Sequence, residues 1–118
     1  MTMSEFVIYH NPRCGKSRTA LALLRERGVE PEVVEYLKTP PDAPTLAGLL
    51  AALGLPAEQL LRTGESVFKE KYKGRTLDEA GWIAAMVADP ILIERPIVVR
   101  GDRAVVGRPP ERIGELFD

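Results

Sequence analysis

The sequence predicts one α/β domain, spanning 1–118, with a small mixed sheet in the order βαβ, a helical insertion over about 40–90, then ββα. Three observations carry this prediction. A strand-like run, a helical run and a second strand-like run follow one another between Phe6 and Leu37. A proline-rich break at Thr39–Pro44 separates them from a stretch with helical patterning. Two β-rich runs around Gly101-Asp102 then precede a last short helix. A chain of 118 residues can build one core and is too short for two.

Each element has its own reason. Residues 6–9 are β-prone without polar alternation, which predicts a strand covered on both faces. Ala20, Leu23, Leu24 and Arg27 fall at helical spacing over 15–27, and Gly28 stops that helix. Glu32–Leu37 reads as a second strand, so the unit is parallel and right-handed, with its strand-to-helix switch at Cys14. The prolines of 39–44 exclude helix and central strand.

Residues 45–53 form a short apolar-rich helix ended by Gly54, and Pro56 opens 57–62. Residues 65–75 are charged, with Val67, Phe68 and Tyr72 predicting one or two turns on a core. Thr76-Leu77-Asp78-Glu79 has the form of a capping box and starts a helix running to Val87, with Trp82 as core. Asp89-Pro90 ends it. Strands follow at 97–100 and 103–106, joined by a II′-type turn, and a helix at 111–117 closes the chain. This order is the layout of a thioredoxin-like domain with a helical insertion, an analogy of fold that does not give function.

Composition removes several classes of function. A formal net charge of −1 supplies no global field for nucleic acid or an anionic membrane, so neither is an expected partner. No apolar run reaches the roughly 18 residues of a membrane span, and Met1–Glu5 lacks the features of a signal peptide. One cysteine excludes an internal disulfide and fits a reducing, cytoplasmic setting. With one histidine beside it there is no cluster for a structural metal, and no metal site is expected.

That cysteine is the chemical centre of the sequence. A lone intracellular cysteine is most often a small buried hydrophobe, but Cys14 stands in a Pro/Gly turn at a helix start, among Arg13, Lys16 and Arg18, just after His10. First-turn N–H groups and nearby cations favour thiolate over thiol. Other readings of the loop fail on spacing. Gly15-Lys16-Ser17 lacks the glycine that a phosphate-binding loop needs where His10 stands. A tyrosine-phosphatase loop needs an arginine where Ala20 is, and a dithiol motif needs a cysteine where Ser17 is. What remains is a single nucleophilic thiol that takes its second thiol from another molecule. Such a site suits an anionic substrate; Arg62, Arg95 and Arg108 sit at element edges, and the latter two precede prolines that hold them extended.

The segment His10-Asn11-Pro12-Arg13-Cys14-Gly15-Lys16-Ser17-Arg18 resembles the catalytic segment of the glutaredoxin-coupled arsenate reductases. The similarity continues through Tyr36–Pro41, Leu60-Leu61-Arg62, Pro90–Val99 and Gly107-Arg108-Pro109, in order along nearly the whole chain. The resemblance implies that Cys14 is the nucleophile, that His10 helps to keep it ionised, and that Arg62, Arg95 and Arg108 bind the arsenic oxyanion. It further implies that Asn11 and Ser17 shape the oxyanion loop and that Pro96 is a cis proline beside the cysteine. Arsenate is then the substrate, glutathione a co-substrate, glutaredoxin a partner, and no cofactor is tightly bound. Two readings of the same superfamily stay open: a glutathione-dependent thiol reductase of another substrate, and a regulator that binds RNA polymerase, against which Ser17 in place of a second cysteine counts. A one-thiol glutaredoxin shares Cys14-Gly15-Lys16-Ser17 but lacks the helical block and the arginines.

Overall fold

The computed structural model describes residues 5–117; residues 1–4, which belong to the stretch read above for targeting, and residue 118 lie outside the described residues. The chain divides into two compact units, one made of residues up to Thr39 together with those from Arg95 onward, the other Pro40–Glu94.

The first unit is built on a mixed sheet. β1 (Phe6–His10), β2 (Glu32–Glu35), β3 (Ile97–Arg100) and β4 (Arg103–Val106) stand in the order β2-β1-β3-β4. β1 and β2 are parallel, with Ile8 opposite Val33, as a strand–helix–strand unit requires. β3 runs antiparallel to β1, with Val98 opposite Ile8, and β4 returns antiparallel on β3 with Val105 opposite Val98. The turn between them carries φ +62° at Gly101 and no positive φ at Asp102, as a II′ turn demands. α1 (Gly15–Glu26) covers the sheet and closes with paired bonds from Gly28 N–H to Arg25 O and Val29 N–H to Leu24 O.

Phe6, Ile8, Ala20, Leu24, Val98, Val105, Ile113 and Leu116 form the core of this unit. Phe117 stacks on Phe6 at 5.1 Å between ring centroids, and the Arg27 guanidinium lies 4.4 Å over the Phe117 ring. The closing helix spans Pro110–Leu116 and is 3₁₀ rather than α.

Two expectations for this sheet are corrected. β1 alternates, with Phe6, Ile8 and His10 buried and Val7 and Tyr9 half-buried, so its faces are unequally covered. β2 stops at Glu35 rather than Leu37, because the Glu35 carbonyl accepts from both Lys38 N–H and Thr39 N–H and the chain turns there.

The second unit is helical. α2 (Ala43–Leu53), α3 (Ser66–Lys71) and α4 (Glu79–Ala88) are joined by 3₁₀ segments at Ala57–Leu60 and Pro90–Leu92. α2 packs on α4, and Leu46, Leu50, Trp82 and Met86 are buried. Pro44 is helical after all: Asp42 caps Thr45 N–H at 2.9 Å, and the proline falls in the first turn, where its missing N–H costs nothing. The capping box is also displaced. Asp78, not Thr76, accepts from Gly81 N–H at 2.8 Å. Glu79 instead spends both carboxylate oxygens on Ala57 N–H, at 3.1 and 3.0 Å. Phe68, Tyr72 and Trp82 form an aromatic cluster with centroids 6.1–6.2 Å apart, which is why the ambiguous stretch folds as a helix. Among the described residues no helix is long and apolar enough to cross a membrane.

Candidate active site

The site lies at the end of β1, where the chain turns into α1. Asn11 shapes the turn: its side-chain oxygen accepts from Arg13 N–H at 3.0 Å and its carbonyl from Cys14 N–H at 2.9 Å. Arg18 ties the loop back by donating to Pro12 O at 3.0 Å. Cys14 is thereby fixed as the residue that opens α1, in extended backbone (φ −94°, ψ 121°), with its carbonyl accepting from Arg18 N–H. A side chain at this position faces the free N–H groups of the first turn.

The sulfur is half-buried, and burial opposes its ionisation. Against this act the Ser17 N–H, a hydrogen bond and the charge of the Arg95 guanidinium, and the Lys16 N–H. The balance holds the Cys14 thiol below its ordinary pKa. The cation that acts is therefore Arg95, delivered by the sheet from the far part of the sequence, rather than the adjacent Arg13, Lys16 and Arg18, all of which are exposed.

Ser17 has two separate parts to play. Its hydroxyl is fully buried, accepts from Asn11 N–H at 3.1 Å and lies 2.6 Å from His10 Nδ1. Its backbone N–H faces the sulfur. The hydroxyl thus locks the loop to α1 while the main chain serves the thiolate. His10 is buried, and its engagement is with Ser17. Burial holds its pKa below the usual 6.5; Glu35 opposes this, while Arg25 and Arg18 reinforce it, so the neutral ring is favoured.

Arg95 stands immediately before β3 on a cis peptide bond to Pro96, and a second cis bond joins Arg108 to Pro109. The two segments are tied together: Arg108 donates to Arg95 O at 3.3 Å, and Gly107 N–H donates to Pro96 O at 2.8 Å. The structure thus brings Cys14, His10, Asn11, Ser17, Arg95, Pro96 and Arg108 into one unit. Arg62 belongs to the other unit, where it pairs with Glu65 at 3.1 Å and with Glu94 at 3.7 Å. An antiparallel bridge between Leu61 and Ile93 puts Arg62 opposite Leu92 and Glu94 opposite Leu60, so the Arg62–Glu94 pair is a diagonal one. No group of three or more potential metal ligands occurs among the described residues.

Comparison with known proteins agrees with this geometry. The ArsC family model matches residues 9–116. The chain is 54% identical over 111 residues to the uncharacterized protein YfgD of Escherichia coli strain K12, covering 92% of this chain and 93% of that one. It is 46% identical over 113 residues to an arsenate reductase of Neisseria meningitidis serogroup A, covering 94% and 97%. The solved arsenate reductase of Vibrio cholerae superposes with a TM-score of 0.92 at 44% identity, over 97% of this chain and 98% of that one. With the sheet order, the loop and the match all in agreement, the chain belongs to the ArsC family and has its thioredoxin-like fold.

Proposed function

We propose that this protein reduces arsenate to arsenite through an intermediate on Cys14, with electrons from glutathione by way of glutaredoxin. The observation that carries this is the placement of Cys14 at the start of α1, where the Lys16 and Ser17 N–H groups and the Arg95 guanidinium act on its sulfur and favour the thiolate. Relatives named arsenate reductases supply the substrate class. In this reading arsenate binds against the same N–H groups, with Arg95 and Arg108 as oxyanion ligands; the resemblance adds Arg62. The thiolate attacks arsenic, and one arsenate oxygen leaves as water after taking up protons, forming an As–S bond with no change of oxidation state. Glutathione then attacks, and two electrons pass from the two sulfurs to As(V). Arsenite leaves, and glutathione stays joined to Cys14 as a mixed disulfide. Glutaredoxin removes it by thiol exchange and regenerates the thiolate. The chain has one cysteine, so the resolving thiols come from other molecules, and a reducing cytoplasm is the compartment that supplies them.

The test is NADPH consumption in a mixture of protein, arsenate, glutathione, glutaredoxin and glutathione reductase. Consumption that needs arsenate and disappears in Cys14→Ser is the expected result. A second reading is a glutathione-dependent thiol reductase of another substrate. Disulfide-dependent but arsenate-independent consumption would select it. No turnover with either substrate would leave the polymerase-binding reading.

A further inference from the structure

We infer that Gly107 is a positioning residue for the Cys14 thiolate, acting through Arg95. The inference rests on the reading of Cys14 as an ionised nucleophile, and it concerns how the activating charge is held in register with the sulfur.

Gly107 is buried where the chain leaves β4, between two parts of the site. On one side is Pro96, fully buried, whose carbonyl accepts from Gly107 N–H at 2.8 Å. On the other is Ala20, fully buried on α1, the helix that Cys14 opens. A Cβ on residue 107 would lie 3.0 Å from Pro96 Cγ and 3.6 Å from Ala20 Cβ. The first distance is well inside ordinary carbon contact, and the Gly107 N–H bond to Pro96 O holds the two residues together, so ring pucker and backbone share the shift. The helix side has no slack to take up the shift, because Ala20 is itself in ordinary contact and belongs to the core. The added methyl would therefore act as a wedge between α1 and the Arg95–Pro96 peptide. The peptide so displaced carries Arg95, the residue whose guanidinium acts on the Cys14 sulfur, so the register between that charge and the sulfur changes with it. Arg108, the next residue, donates to Arg95 O at 3.3 Å, so displacing residue 107 also disturbs the second tie on Arg95. A side chain at 107 thus has one consequence the core alone would not predict: it changes the ionisation of a cysteine that it does not touch.

The experiment reads the thiol directly and needs no arsenate, so it stands or falls apart from the reductase assignment. The rate of Cys14 alkylation by iodoacetamide is measured against pH for the native protein, Gly107→Ala, Arg95→Gln and the double variant, with circular dichroism as the check on folding. In Gly107→Ala the midpoint moves to higher pH, and the rate on the acidic limb falls at least roughly threefold. In the double variant the midpoint coincides with that of Arg95→Gln, because the wedge has no charge left to displace. An unchanged midpoint in Gly107→Ala, or shifts that add in the double variant, would overturn the inference. If Gly107→Ala does not fold, Ala20→Gly/Gly107→Ala, which opens the opposite wall and relieves part of the wedge, is read in its place, with a smaller shift in the same direction expected and an unchanged midpoint again overturning the inference. Failure of both to fold would assign Gly107 to the core alone and also overturn it.

Discussion

Two segments of the sheet-bearing unit meet at the thiol and hold it by different means. The loop from His10 to Arg18 works through the main chain: the N–H groups of Lys16 and Ser17 face the sulfur because α1 begins there. The arm from Arg95 to Pro109 works through a formal charge, carried by Arg95 and braced by Gly107 and Arg108. The loop contribution belongs to the backbone and survives most side-chain changes. The arm contribution is lost with one side chain. The difference teaches that the helix start makes the site receptive to negative charge in general, whereas the arm makes it respond to residues distant in sequence.

Removing the charge is the severest way to break that pairing short of removing the sulfur. In Arg95→Gln the Cys14 thiol pKa rises, and on the proposed function arsenate turnover falls by about 10²–10³-fold, the usual cost of a lost oxyanion donor. Arg95→Lys keeps the charge but loses the planar fork, so its thiol stays closer to native while turnover still falls. Alkylation against pH separates the two effects from kcat/KM. Equal thiol pKa values in the native protein and Arg95→Gln would show that the loop alone sets the ionisation.

The loop is broken through its clamp. Ser17→Ala leaves Asn11 N–H and His10 Nδ1 without the hydroxyl they share in a buried site. The expected cost is about 1–3 kcal/mol, read from urea denaturation. Its effect on the thiol is smaller than that of Arg95→Gln, because the N–H of residue 17 remains. A thiol shift as large as that of Arg95→Gln, with stability unchanged, would reverse the division of labour between loop and arm.

The same contrast explains what the sequence made legible. The loop is contiguous, so Cys14 at a helix start, the βαβ unit around it and the closing hairpin could be read from spacing and turn chemistry. Burial could not be read there. Nothing local says that Ser17 turns its hydroxyl inward, or that the exposed Arg13, Lys16 and Arg18 act less on the sulfur than Arg95 does. The arm is assembled by strand pairing between β1 and β3, which no local pattern encodes, so position at an element edge singled out Arg95 and Arg108 but only resemblance set them at the cysteine. Gly107 stood in the matching Gly107-Arg108-Pro109 segment, but nothing local showed its packing, a missing methyl against Pro96 and Ala20. In the helical unit the misplaced cap at Thr76 has a plain cause. Two acceptors stood side by side at Asp78 and Glu79, and tertiary demand from Ala57 N–H drew Glu79 out of the box.

The smallest expected effect sharpens the comparison through pH. Burial, reinforced by Arg25 and Arg18 and opposed by Glu35, holds the His10 pKa below its usual 6.5, so folding favours the neutral ring. Above that value the ring is neutral in both folded and unfolded chains, and the contribution is fully present. As pH falls below 6.5 the unfolded chain takes up a proton that the folded one resists, and the contribution is lost until the folded pKa is passed. The slope from one such group is at most about 1.4 kcal/mol per pH unit. Cys14, also held below its ordinary value, has the same sign in a higher window: its contribution is complete above the unfolded thiol pKa and falls away as pH drops through the folded one. Stability of the native protein relative to His10→Gln, followed by urea denaturation from pH 7.5 to about pH 5, therefore declines below 6.5. Carboxylate titrations common to both proteins cancel in the difference. A flat difference would mean that His10 titrates in the fold as it does in the open chain. The loop's hold on the site would then rest on the Ser17 hydroxyl and the main chain, with no part for the neutral ring.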